Sequence, residues 1–147
     1  MSTFLFNEII FGPVQSRRLG VSLGINLLPL NSKLCNFNCL YCECGLNDDI
    51  GGDKAYLYSE EHIINELKKT LQSFKENNKP IDTITFAGNG EPTLHPEFST
   101  IIDRTIELRN SIYPKAKIAV LSNSTLIGRP LIYEALLKIE YNILKLD

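Results

Sequence analysis

A chain of 147 residues, 44% apolar and 22% charged, has the length and the hydrophobic content for one domain with its own core. Its formal net charge of −2 gives no general pull toward nucleic acid or a membrane surface, and no uninterrupted apolar run approaches the ~18–20 residues of a spanning helix. Residues 1–11 have neither a basic stretch nor a small-residue cleavage site and do not read as a secretion signal.

Residues 4–11 are apolar and predict a short strand or a packed arm, which Gly12 and Pro13 then break. Residues 1–18 together read as an N-terminal arm or extra strand of the same domain. Between Ser16 and Gly20 stand Arg17 and Arg18. Adjacent arginines are usually a solvated pair; the functional alternative is an anion clamp, since guanidinium forks grip carboxylate or phosphate bidentately. Residues 19–28 alternate loosely and predict a first strand that leads into the cysteine segment.

All four cysteines fall at positions 35, 39, 42 and 44. A disulfide framework spreads its cysteines so that bridges close long loops. Thiolates gathered in one short loop are instead soft ligands for zinc or an iron–sulfur cluster. A closed zinc site needs four protein ligands, so zinc has to recruit Cys44 or a histidine, and Cys42 and Cys44, one residue apart, make an awkward bite on one ion. A cubane held by Cys35, Cys39 and Cys42 with one iron left open is the other solution. Reduced, clustered thiols without a secretion signal point to the cytoplasm.

Asn47 to Asp53 form a polar, glycine-bearing turn. Ser59 is an N-cap candidate, with Glu60 and Glu61 at the favourable end of the helix dipole. Ile63, Ile64, Leu67, Leu71 and Phe74 share one helical face, and the helix stops near Asn77 and Pro80. His62 in its first turn is an unpartnered histidine, a poor metal signal. Residues 81–86 predict a buried strand. A second helix carries Phe98, Ile101, Ile102 and Thr105. A third strand covers 117–121, a shorter helix 130–138, and a fourth strand 141–146. This alternation implies right-handed βαβ units and a parallel sheet, hence an α/β fold.

Ligands of parallel α/β sheets bind outside the carboxyl ends of the strands. On that edge lie the cysteine loop, the run Gly88, Asn89, Gly90, Glu91, and the polar residues Ser122 and Asn123, with Asp147 after the last strand. Gly88 and Gly90 let backbone approach a ligand, and Glu91 is an acceptor for an ammonium group. A bare tight turn explains the glycines equally well. Capping of the next helix explains Ser122 and Asn123, and an orienting role explains His95.

The pattern Cys-x3-Cys-x2-Cys, with Tyr41 directly before the third cysteine, resembles the signature of the radical S-adenosylmethionine (radical SAM) superfamily. The stretch 11–42 looks like a subgroup with wyosine-type tRNA-modifying enzymes and many uncharacterised iron–sulfur oxidoreductases. The resemblance implies a [4Fe–4S] cluster on Cys35, Cys39 and Cys42, with S-adenosylmethionine chelating the open iron. A reduced cluster then cleaves the sulfonium to methionine and a 5′-deoxyadenosyl radical, which takes hydrogen from a substrate. Tyr41 stands where the family has a residue beside the adenine, or else anchors the loop by packing. Gly90 and Glu91 match a Gly-Gly-Glu element that holds the methionyl amino group, while Asn89 replaces its first glycine. Asparagine tolerates left-handed backbone, so the turn survives. The family places substrate and ribose contacts at strand-end positions such as Ser122 and Asn123. Cys44 is a spectator thiol or a ligand when S-adenosylmethionine is absent.

A low-potential electron donor such as flavodoxin or ferredoxin is an implied partner. A tRNA substrate has weak support, because relatives with a second cluster need further cysteines. The implied fold is the N-terminal part of a partial (β/α)6 barrel, about four parallel strands with three helices. It is truncated after the fourth strand, so a missing C-terminal segment or a partner chain completes it. The alternatives are a zinc-stabilised interaction module and an electron-transfer iron–sulfur domain.

Overall fold

Two hydrophobic periods decide the layers: period two in the strands and a 3.6-residue stripe in the helices. The computed structural model describes residues 4–47 and 56–145. In it β1 (Ile10–Ser16) pairs antiparallel with β2 (Gly20–Ile25). From there β2, β3 (Thr83–Phe86), β4 (Lys117–Ser122) and β5 (Tyr141–Leu144) run parallel in chain order, giving a five-stranded sheet. Parallel neighbours need long crossovers, and α1 (Glu60–Glu76), α2 (Phe98–Ile112) and α3 (Pro130–Leu137) supply them. Four parallel strands and three helices are as the sequence predicts, with the antiparallel β1 in addition.

Ser59 caps α1, its Oγ accepting from His62 N at 3.3 Å. Ile63, Ile64, Leu67 and Leu71 of α1 and Phe98, Ile101 and Ile102 of α2 pack on Leu23, Ile25, Ile84, Phe86, Ile118 and Val120. Phe86 and Phe98 meet edge to face at 6.3 Å. The other face of the sheet is more polar: Ser22 Oγ and Thr85 Oγ1 share a buried 2.7 Å hydrogen bond. Each large side chain buried this way contributes about 1.5–3 kcal/mol, so the sheet is rigid where its strands end.

Several boundaries differ from the sequence expectation. Gly12 and Pro13 do not break the chain; they sit in β1 at a register shift between Phe11 and Val14. Proline lacks a donor and is tolerated on an edge strand at such a bulge. The strand expected over 19–28 stops pairing at Ile25, because Asn26 Oδ1 captures Leu28 N (3.1 Å) and turns the chain. β5 ends at Leu144. Asp147 and most of the expected turn at 47–53 lie outside the described residues.

Candidate functional site

The carboxyl ends of β2, β3 and β4 open onto a cavity of about 490 Å³, within the ~300–1,000 Å³ typical of small-molecule sites. Cys35, Cys39, Cys42 and Cys44 all line it, and none is in a disulfide. Two tight turns shape the loop that carries them: Cys42 N donates to Cys39 O (3.1 Å) and Gly45 N to Cys42 O (3.0 Å). Side chains brace it from outside. The buried Lys33 Nζ donates to Gly45 O at 2.7 Å, and Asn47 Nδ2 to Cys35 O at 2.8 Å. Cys35 Sγ accepts from Phe37 N (3.4 Å) and Asn123 Nδ2 (3.7 Å), the kind of donor that steadies a metal-bound thiolate. Cys44 Sγ donates to Gly88 O at 3.6 Å. Its burial, and the neighbouring Cys42, push this thiol up to about 11. Among the described residues no three His, Cys, Asp or Glu side chains converge closely enough to hold a single metal ion.

The second loop is locked to the first. Leu34 N donates to Asn89 O (2.9 Å) and Glu91 N donates to Leu34 O (3.0 Å), a parallel bridge in which Gly90 faces Leu34. Gly88 and Gly90 take φ of +155° and +140°. A Cβ at Gly90 would run into the Leu34 carbonyl, and one at Gly88 into the Asn26 side chain. The left-handed backbone thus falls on the two glycines and not on Asn89, whose φ is negative.

Glu91 joins the third loop to the other two. Its buried carboxylate accepts from Thr93 Oγ1 (2.6 Å), Thr93 N (3.2 Å) and Ser122 Oγ (2.7 Å) on Oε1, and from Asn123 N (2.7 Å) on Oε2. It caps the short 3-10 helix Pro92–Leu94. Oε2 keeps acceptor capacity, since a carboxylate oxygen takes about two donors. Asn123 in turn donates from Nδ2 to Asn36 Oδ1 (2.7 Å), and Asn36 Nδ2 to Thr125 Oγ1 (2.6 Å). Neither Ser122 nor Asn123 caps α3, which starts at Pro130 behind Arg129.

Of the residues singled out in the sequence, Tyr41, Gly88, Gly90, Glu91, Ser122 and Asn123 line the cavity with the cysteines. Asn89 does not; it is wholly buried behind the loop. Tyr41 is 60% exposed, and Lys145 Nζ lies 5.8 Å from its ring centre. Arg17 and Arg18 are exposed in the β1–β2 turn, at the opposite end of β2 from the cavity, and clamp nothing there. His95 is buried away from the cavity: Nδ1 accepts from Glu97 N (3.0 Å), so Nε2 donates to Tyr58 O (2.9 Å). It orients the approach to α1. His62 stacks on Tyr58 at the surface. Sequence reasoning missed Phe4, Phe6, Lys33 and Asn26; the one available signal was a polar Asn26 inside an otherwise apolar run.

A family model described as "Radical SAM superfamily" matches residues 32–147. Over 140 residues, 93% of the chain, the sequence is 39% identical to a "UPF0026 protein" of Helicobacter pylori, covering 41% of that protein. It is 37% identical over 139 residues to "UPF0026 protein MJ1312" of Methanocaldococcus jannaschii, 95% of this chain and 40% of that one. A 93-residue stretch, 63% of the chain, is 48% identical to 13% of a protein named "GTPase Obg" from Brachyspira hyodysenteriae. The chain therefore spans about two fifths of the length of these UPF0026 relatives. No solved structure matches.

Proposed function

Because the chain belongs to the radical SAM superfamily, we propose that its cavity binds a [4Fe–4S] cluster through Cys35, Cys39 and Cys42, with S-adenosylmethionine on the open iron. The observation that carries this reading is the meeting of the three thiols with Gly88, Gly90 and Glu91 around one cavity. Soft donors and the absence of disulfides suit a cluster, and glycine backbone suits close approach of a small molecule. When bound, the pair supplies reductive cleavage of the sulfonium and a carbon radical for hydrogen abstraction, chemistry that belongs to the cofactors.

The chain's own work is to bind and orient. Backbone at Gly88 and Gly90 and the spare lone pair of Glu91 Oε2 receive the methionyl ammonium. Tyr41 lies against the adenine, and Ser122 and Asn123 border the ribose side. Asn123 and Phe37 donate to Cys35 sulfur and so bear on the cluster potential. Cys44 is a spectator, its S–H spent on the Gly88 carbonyl. The sheet is the first part of a partial (β/α)6 barrel, and further strands after β5 complete the pocket. On this reading the protein works in the cytoplasm with a low-potential donor, flavodoxin or ferredoxin. The substrate class follows only the wyosine-type resemblance, which suggests tRNA. Among the described residues no helix is long and apolar enough to cross a membrane.

The test is anaerobic reconstitution with iron and sulfide, then reduction with S-adenosylmethionine present. The expected result is a brown protein whose spectrum shifts with S-adenosylmethionine and which forms 5′-deoxyadenosine and methionine. Alanine at Cys35, Cys39 or Cys42 abolishes the colour. A colourless protein holding one zinc on four protein ligands overturns the proposal.

A further inference from the structure

Asn89, between the two glycines of its loop, has a physical function in this chain that a third glycine could not supply. Asn89 is fully buried and spends its carboxamide on the N-terminal arm. Its Oδ1 accepts from Phe6 N (2.8 Å) and its Nδ2 donates to Phe6 O (2.8 Å) and Pro29 O (2.8 Å). The side chain thus pairs with both backbone groups of Phe6 as a neighbouring strand would. The arm has further attachments, among them the Ile9 carbonyl, which accepts from Asn26 N at 2.7 Å. Phe4 N donates to Glu43 O (2.8 Å), inside the cysteine loop. The Phe6 ring stacks at 3.8 Å on Phe11, which lies over Gly24, where any Cβ would strike that ring. Phe4 and Phe6 line the cavity together with Gly88 and Gly90.

We infer that residues 4–9 form an aromatic wall of the ligand cavity, that Asn89 is the positioning residue clasping it, and that Phe4 and Phe6 contact bound S-adenosylmethionine. This rests on the cofactor reading above. Glycine at position 89 offers only backbone; asparagine keeps the backbone contacts to Leu34 and adds a clasp directed away from the cavity. The arm then bridges the two loops that meet the cofactor, so its seating bears on both.

Hydrogen exchange on the full chain without cofactors tests the clasp. In Asn89→Gly, amides of residues 4–9 should exchange at least about ten-fold faster than in the wild type, while β3 and β4 keep their protection. Unchanged exchange in the arm overturns the clasp. The wall is tested on reconstituted protein with Phe4→Ala, a half-exposed position that leaves the clasp and the core intact. S-adenosylmethionine binding should weaken about three- to ten-fold while arm exchange stays as in the wild type. Wild-type affinity in Phe4→Ala overturns the wall. If Asn89→Gly loses protection throughout, Phe4→Ala alone decides the wall, and Asn89→Asp, which keeps the shape but loses both Nδ2 donors, decides the clasp by the same exchange. Wild-type protein that binds no S-adenosylmethionine overturns the cofactor reading and the wall together, and the exchange result still decides the clasp.

Discussion

Replacing Gly90 by alanine should do more damage than any other methyl-sized change at the site. Its φ of +140° is a conformation that side chains rarely adopt, and forcing one there costs of order 1–3 kcal/mol. The added Cβ also meets backbone: the Leu34 carbonyl stands in its way, with Leu28 Cδ1 at 3.0 Å. Leu34 cannot swing aside alone, because its N–H donates to Asn89 O (2.9 Å) and its carbonyl accepts from Glu91 N (3.0 Å). Relief means parting the cysteine loop from the glycine loop and loosening those two bonds, at about 1 kcal/mol each. The sum is about 3–5 kcal/mol, or roughly 6–20 °C in Tm at the usual 2–4 °C per kcal/mol for a chain of this size. Urea and thermal unfolding of the cofactor-free protein measure it, and iron per chain after reconstitution reports the displacement of Cys35 next to Leu34. Gly128→Ala is the control: nothing lies within 4 Å of its Cβ, so stability should stay within about 0.5 kcal/mol. Gly90→Ala with wild-type stability and full iron content would refute the account of how the two loops are held.

Glu91→Gln keeps the shape but must turn an NH₂ either toward the donors of Thr93 and Ser122 or toward Asn123 N; a loss of about 1–3 kcal/mol is expected by urea titration. Glu140→Gln removes the charge paired with the buried Arg109 (2.8 Å) and leaves one acceptor oxygen where Arg109 and Ile118 N (2.9 Å) use two, costing about 1–3 kcal/mol at neutral pH. Burial alone would raise the Glu140 carboxyl, but hydrogen bonds from Ile118 N and Arg109 outweigh it and hold the pKa below its ordinary 4.5. Its contribution is therefore complete above the ordinary value and is lost as pH falls through the folded one. Stability against pH should be flatter below about 4.5 in Glu140→Gln than in wild type. Cys44→Ala should retain wild-type iron and sulfide after reconstitution, since its thiol is engaged with Gly88 O; loss of the cluster would make it a ligand.

What the sequence made legible follows from where its signals are local. The stripe Ile63, Ile64, Leu67, Leu71 and the cap at Ser59 found α1, and buried runs found β3 and β4. The cavity residues were legible because each follows a strand end in sequence, so topology brings them to one edge. Gly12 and Pro13 misled because a bulge on an edge strand tolerates what breaks a central one. Lys33, Phe4 and Phe6 were missed because their roles exist only in tertiary contacts, Phe6 with a residue 83 positions away, whereas Asn26 turns the chain locally at Leu28 and was the one polar signal in an apolar run. Asn89 was read as a weakened glycine when its side chain was the informative part.

These misses share one physical cause. Beyond the strand ends, among the described residues, one isolated backbone bridge, Leu34 with Gly90, stands in for a regular ladder, and buried backbone groups there need partners. Side chains of Asn26, Asn89, Glu91 and Asn123 provide them, each taking donors or acceptors from a different segment. The sheet gives the site its position, and these four polar residues give it its shape. The two layers should therefore fail separately. Truncating Ile84 or Ile118 to alanine lowers the global unfolding free energy by about 2–5 kcal/mol of lost packing, while loop exchange and the cofactor-binding surface persist until the sheet melts. Exchange of Asn89 or Asn123 for a residue without a carboxamide should do the reverse, opening the loops while the amides of β3 and β4 stay protected. A melt in which sheet and loops always open together would mean that the polar clasps only echo the core.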